Sequence, residues 1–132
     1  MKLEVELKDL QPSQMFINRS KLRSLIMDGF NAEETDGNPF PVIKFDGELV
    51  LIDGHTKAFL ADQQGIGKIT VEYISEVENL AVYQTCVGLC KQEKITTVAD
   101  LGKQIISNQD FERAWIKKVE IIKSGLPGKS HG

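Results

Sequence analysis

Five consecutive residues, Asp53-Gly54-His55-Thr56-Lys57, hold most of the chemistry this chain can offer. They follow an apolar run, Leu49-Val50-Leu51-Ile52, and precede a stretch with Ala58, Phe59 and Ala61 on one helical face and Gly65 as its stop. That pattern predicts a strand, a tight glycine turn and a helix over 55 to 64, with no gap between them. The first N–H groups of a helix lack intrahelical partners and carry about half a positive charge, so such a junction attracts phosphate. Gly54 would let the backbone approach an anion, His55 and Thr56 would add backbone donors, and Lys57 a full charge. Asp53 is either the cap of those N–H groups or a contact for magnesium, and His55, whose ordinary pKa lies near neutrality, is a candidate acid or base. Asp53 and His55 are therefore the candidate catalytic residues, and Gly54, His55, Thr56 and Lys57 candidate ligand-binding ones. The competing reading makes the same residues an N-cap, a turn and a solvated first helical turn, because strand-glycine-helix junctions are common.

Other chemistry-bearing residues are weaker candidates. Gln14, Asn18 and Arg19 could reach a ligand from across a cleft, although a turn at Gln11-Pro12-Ser13-Gln14 explains them equally well. Cys86 and Cys90 stand four residues apart in a helical pattern, where two thiolates could share a metal. Zinc needs three or four protein ligands and no matching pair is present, so they read as buried core thiols and no metal site is assigned. Phe111, Trp115 and Val119 have the spacing of an inward helix face, while Lys117, Lys118 and Lys123 beside Glu120 make a solvated one.

The elements that must position the turn follow from periodicity. Leu3, Val5 and Leu7 alternate with charged residues as in a strand with one buried face. Ser20 can cap a short helix carrying Leu22, Leu25 and Ile26 on one face and stopping at Gly29. Residues 31 to 39 are polar and acidic, as in an exposed loop. Asp46-Gly47 joins strands 41 to 45 and 48 to 52 as a hairpin, and 69 to 74 alternates as a further strand. A helix over 79 to 94 follows, then one opened by Ser107 and Asp110 and running through Phe111, Trp115, Val119 and Ile122. The expected fold class is α+β, a small mixed β-sheet packed by helices. Residues 1–75 form its core, 76–125 a C-terminal helical extension packed on that core, and 126–132 a flexible tail.

The bulk composition narrows the function classes. The 132 residues include 16 Lys plus Arg against 19 Asp plus Glu, a net charge of −3 with no general pull towards nucleic acid or an anionic membrane. No apolar run approaches the roughly 20 residues of a membrane span, and the alternating start is unlike a signal peptide, so the cytoplasm is the expected location.

Residues 3 to 74 resemble the ParB/sulfiredoxin-like superfamily: an opening strand, Leu10-Gln11-Pro12-Ser13-Gln14 as LxPSQ, a short helix, then FPVIKFDGELVLIDGHTKAFLADQQGIGKITVEYI. The resemblance implies that the glycine turn and its basic residue bind nucleotide phosphates, with ATP or ADP and magnesium as cofactors. Sulfiredoxins carry Gly-Cys-His-Arg at this turn, which would put His55 where their catalytic cysteine sits, so their chemistry is disfavoured here. ParB partition proteins carry Gly-Glu-Arg-Arg and a DNA-binding addition, for which this chain is short. The free-serine kinases, with Asp-Gly-His-His-Arg, resemble the turn most. Two departures matter: Lys57 stands in place of a fork-shaped arginine, and Gln14 stands where those kinases carry a glutamate base. Asp53, Glu33 or Glu34 would have to serve in its place. Gln14 joins the ligand-binding candidates on this alignment. The expected function is a nucleotide- or phosphate-binding domain whose ligand is a nucleotide or small phosphorylated molecule. If an enzyme, it transfers a phosphoryl group to a small hydroxyl substrate. The alternatives are a non-catalytic interaction module, meeting a protein partner through its C-terminal helices, and a ParB-like DNA-associated protein.

Overall fold

The computed structural model describes residues 1–32 and 38–125. Asp46 and Gly47 take φ angles of 53° and 76°, the left-handed pair a two-residue hairpin requires, and join β4 (Phe40–Phe45) to β5 (Glu48–Leu51) in antiparallel register with Ile43 opposite Val50. Each side of this hairpin accepts one further strand in parallel. β6 (Lys68–Tyr73) pairs with β4, and β2 (Leu10–Pro12) pairs with β5. β1 (Lys2–Glu6) completes the five-stranded order β1-β6-β4-β5-β2 by pairing antiparallel with β6. The parallel partners are reached through helices, as parallel pairing demands. The architecture is thus α+β, a mixed sheet packed by helices, as the sequence analysis expects.

α1 (Arg19–Met27) lies before the hairpin, α2 (His55–Gln63) links β5 to β6, and α3 (Leu80–Gln92) follows the sheet. A 3₁₀ segment, Val98–Lys103, then leads into β7 (Ile105–Ile106), which pairs in parallel with β3 (Ile17–Asn18). The chain ends its described course with α4 (Asn108–Phe111), a π-helical turn over Glu112–Ile116, and α5 (Lys117–Gly125). Leu10, Ile17, Val42, Leu51, Val71 and Leu101 are fully enclosed in the main core, and Ile43, Val50 and Val87 form a smaller cluster. No helix among the described residues is long and apolar enough to cross a membrane.

Several expectations change. Gln11 and Pro12 belong to β2 and Ser13 follows it, all three buried, because the parallel ladder with β5 draws this stretch under the sheet edge instead of leaving it as a surface turn. α1 is capped by Asn18, whose Oδ1 accepts from the N–H groups of Ser20 at 2.9 Å and Lys21 at 3.4 Å, and not by Ser20. Ile26, expected on the inner face, is 57% exposed, and α1 is held only by its half-buried Leu22 and Leu25. β1 lacks the buried face expected of it, being an edge strand with Leu3 exposed and Val5 half-buried. The expected tail, 126–132, and the loop carboxylates Glu33 and Glu34 lie outside the described residues.

Candidate functional site

The strand-to-helix junction forms as its residue types require. Gly54 has a φ of 78°, a left-handed conformation that lets β5 turn directly into α2, and it occupies the N-cap position itself. A Cβ added there would lie 3.3 Å from Cδ2 of Phe40, so the residue is needed both for its conformation and for its missing side chain. This corrects one expectation. Asp53 is not the cap: its exposed carboxylate reaches only the next residue, with Oδ1 accepting the Gly54 N–H at 2.8 Å, and among the described residues no side-chain cap bond closes the first turn of α2. The donors at the start of α2 therefore keep their capacity for an external acceptor.

These donors open on a cleft of 580 Å³. Asp53, Gly54, Thr56 and Lys57 line it from the turn, Lys21 from α1, and Phe30, Pro39 and Phe40 give it an apolar wall. Thr56 itself is buried, whereas Lys57 is exposed. The sequence does not mark Lys21, since a lysine near a helix start is indistinguishable there from any solvated one. The fold alone brings it to the side of the cleft facing Lys57's turn.

His55 is placed differently. Its ring is 3% exposed, and Nε2 accepts the backbone N–H of Ser13 at 3.0 Å, which leaves the ring proton on Nδ1. Ser13 in turn donates its hydroxyl to the Leu51 carbonyl at 2.7 Å. The imidazole thus ties the start of α2 to the chain leaving β2. Burial, the largest influence, pulls its pKa down from 6.5 to about 4; the Asp53 carboxylate and Leu51 carbonyl oppose that, and the Lys21 ammonium adds to it. At neutral pH the ring is uncharged.

Gln14 is not brought to the cleft at the start of α2. Its Nε2 donates to the Phe16 carbonyl at 2.8 Å, and the side chain lines a separate cavity of 160 Å³ together with His55. A one-dimensional alignment cannot see this division, because His55 stands between the two spaces and belongs in sequence to the first. Cys86 and Cys90 are free and buried, as expected, and burial pushes their thiols up to about 11 and about 12. They are protonated and far from nucleophilic. Among the described residues no group of three or more His, Cys, Asp or Glu side chains gathers into a metal site.

The chain matches no known protein family and no curated protein. Among solved structures it is similar to protein Atu1540 from Agrobacterium tumefaciens, at 13% identity and a TM-score of 0.46 over 73% of this chain. It spans about half, 49%, of that protein's length. It is also similar to sulfiredoxin from Arabidopsis thaliana, at 18% identity and a TM-score of 0.46, covering 64% of this chain and 97% of the other. Likenesses at this level carry no argument about what the cleft binds.

Proposed function

We propose that this chain binds the phosphate groups of a nucleotide in the cleft at the start of α2. The observation that supports the reading best is the uncapped first turn of α2 opening between two lysines, Lys57 and Lys21, at a glycine that admits close approach. A helix N-terminus and two ammonium groups together favour a polyanion over a single carboxylate. The cleft volume of 580 Å³ suits a ligand of nucleotide size, and the Phe30, Pro39 and Phe40 wall offers an apolar surface to a base. Magnesium would be held chiefly by the phosphates, with Asp53 as the carboxylate lining the cleft among the described residues, in keeping with how that ion is usually bound.

If catalysis follows binding, the reaction class is phosphoryl transfer to a small hydroxyl compound, since positioning and charge neutralisation supply most of that catalysis. Asp53 is then the group able to take the hydroxyl proton. His55 serves as a positioning residue, fixing the turn through Ser13. The interaction-module reading has less to stand on. Leu80, Ile116 and Ile121 are exposed on the C-terminal helices, yet scattered exposed apolar residues are ordinary on a soluble surface. A DNA-associated role would have to overcome the net charge of −3.

Thermal shift with ATP, ADP, CTP, pyrophosphate and inorganic phosphate, each with and without magnesium, tests the reading. Ligand binding only the native state raises Tm, by the equivalent of about 2.7 kcal/mol at a hundred times Kd. A nucleotide-dependent rise that is abolished in Lys57→Ala and reduced in Lys21→Ala is the expected result. No shift with any of these ligands at millimolar concentration would overturn it.

A further inference from the structure

Phe30, part of the apolar wall of the cleft, is held through its backbone from both sides. The chain leaves α1 at Gly29, whose φ of 75° turns it so that the Phe30 N–H donates to the Leu25 carbonyl at 3.0 Å. The Phe30 carbonyl accepts from Nε2 of Gln64 at 3.0 Å, and Oε1 of the same side chain accepts the Ala32 N–H at 3.1 Å. One amide therefore spends its donor and its acceptor on the same short stretch, spanning Asn31 between them. Phe30 and Asn31 line the cleft, and Ala32 is buried in the main core.

Gln64 is the C-cap residue of α2. The helix that offers its first N–H groups to the cleft thus grips, from its other end, the segment that supplies part of the apolar wall. Gln64 is itself exposed and stands outside both apolar clusters, so its contribution is carried by these hydrogen bonds. It does not line the cleft. Gly54, Thr56 and Lys57, by contrast, are placed by the strand-to-helix junction and owe nothing to the clasp.

We propose that Gln64 is a specificity-determining positioning residue: by fixing the backbone of Phe30 it keeps the apolar wall in place for a base, and so sets the preference for a nucleotide over bare pyrophosphate. The inference rests on the nucleotide reading of the cleft. A ligand that needs the wall loses affinity in proportion to the time the wall is out of place. Two neutral hydrogen bonds are enough to change that occupancy about tenfold.

Gln64→Met keeps the length of the side chain and removes both hydrogen bonds. The full chain is titrated calorimetrically with ADP and with pyrophosphate, each with magnesium, and the ratio of the two association constants is read. That ratio should fall about tenfold in Gln64→Met, and Gln64→Ala should give the same result. Phe30→Ala should lower the ratio too, and combining it with Gln64→Met should lower it no further, because both changes remove the same wall. Circular dichroism confirms that each variant is folded. A side chain that served stability alone would lower Tm and weaken both ligands alike, leaving the ratio at its wild-type value. An unchanged ratio in the Gln64 variants, or losses that multiply in the double variant, would overturn the role of Gln64 while the wild-type titrations still upheld the cleft. Wild-type protein that bound neither ligand would overturn the cleft reading and this inference together.

Discussion

His55 makes the start of α2 sensitive to acid. Its folded-state pKa is about 4, against 6.5 when unconstrained, so the unfolded chain binds more protons through this range and stability rises with pH. The contribution is complete above about pH 6.5 and is lost as pH falls from there towards 4, a total of about 3 kcal/mol for a shift of this size. Urea denaturation between pH 7.5 and 4 should show that decline, and His55→Gln, whose side-chain oxygen can still accept from Ser13, should flatten it. A decline of equal size in the variant would assign it to other groups. At this scale the sequence is informative where a role depends on residue type alone. Gly54 is legible because glycine takes a left-handed φ at no steric cost, and Lys57 because a charge next to a helix start acts without detailed geometry. Ser13 and Lys21 were not legible in the same way: one acts through its backbone N–H and the other through a position that only the tertiary fold assigns.

Among the elements, the hairpin, α2, β6 and α3 follow from local pattern, since Asp-Gly turns and apolar periodicity act within a few residues. β2, β3 and β7 do not, because each has two or three residues and gains its hydrogen bonds from a strand far along the chain. The π-helical turn also escapes periodicity, because the apolar spacing that puts Trp115 on an inward face does not tell i→i+5 from i→i+4 hydrogen bonding. α1 is the element on which the cleft depends most delicately. It has no fully buried residue, Met27 near its end is 83% exposed, and its cap Asn18 also donates through Nδ2 to Asn108 at 2.8 Å. Asn18→Ala should therefore cost about 1 kcal/mol through the lost cap. Because the loss falls on a lightly packed helix, amide exchange should accelerate in α1 well before α2, and anion affinity should drop as Lys21 loses its fixed place. Uniform acceleration across both helices would show that α1 opens only with the whole fold.

For the whole molecule, the division at residue 75 drawn from the order of elements, with a helical extension packed on the core, meets buried residues that form one cluster across it. Val82, Cys86, Cys90, Ile95, Val98, Leu101 and Trp115 are buried in the same cluster as Leu10, Phe40, Leu51, Phe59 and Val71. The crossing is also made in hydrogen bonds: Gln11 donates to the Ile95 carbonyl at 2.9 Å, and Ile17 to the Gln104 carbonyl at 2.9 Å. A chain ending at residue 75 would expose the face of the sheet that α3 and Trp115 cover and would leave the buried Gln11 amide short of an acceptor. Fully burying a large apolar side chain is worth about 1.5–3 kcal/mol, so losing seven partners costs about 10–20 kcal/mol, as much as the usual 5–15 kcal/mol stability of a domain. Residues 1–75 alone should accordingly show no cooperative thermal transition. The full chain should unfold in one step, with Trp115 fluorescence and far-ultraviolet circular dichroism giving coincident curves. A sharp transition in the truncated chain, or a tryptophan signal that melts apart from the sheet, would show instead that the C-terminal helices dock on a core already stable without them.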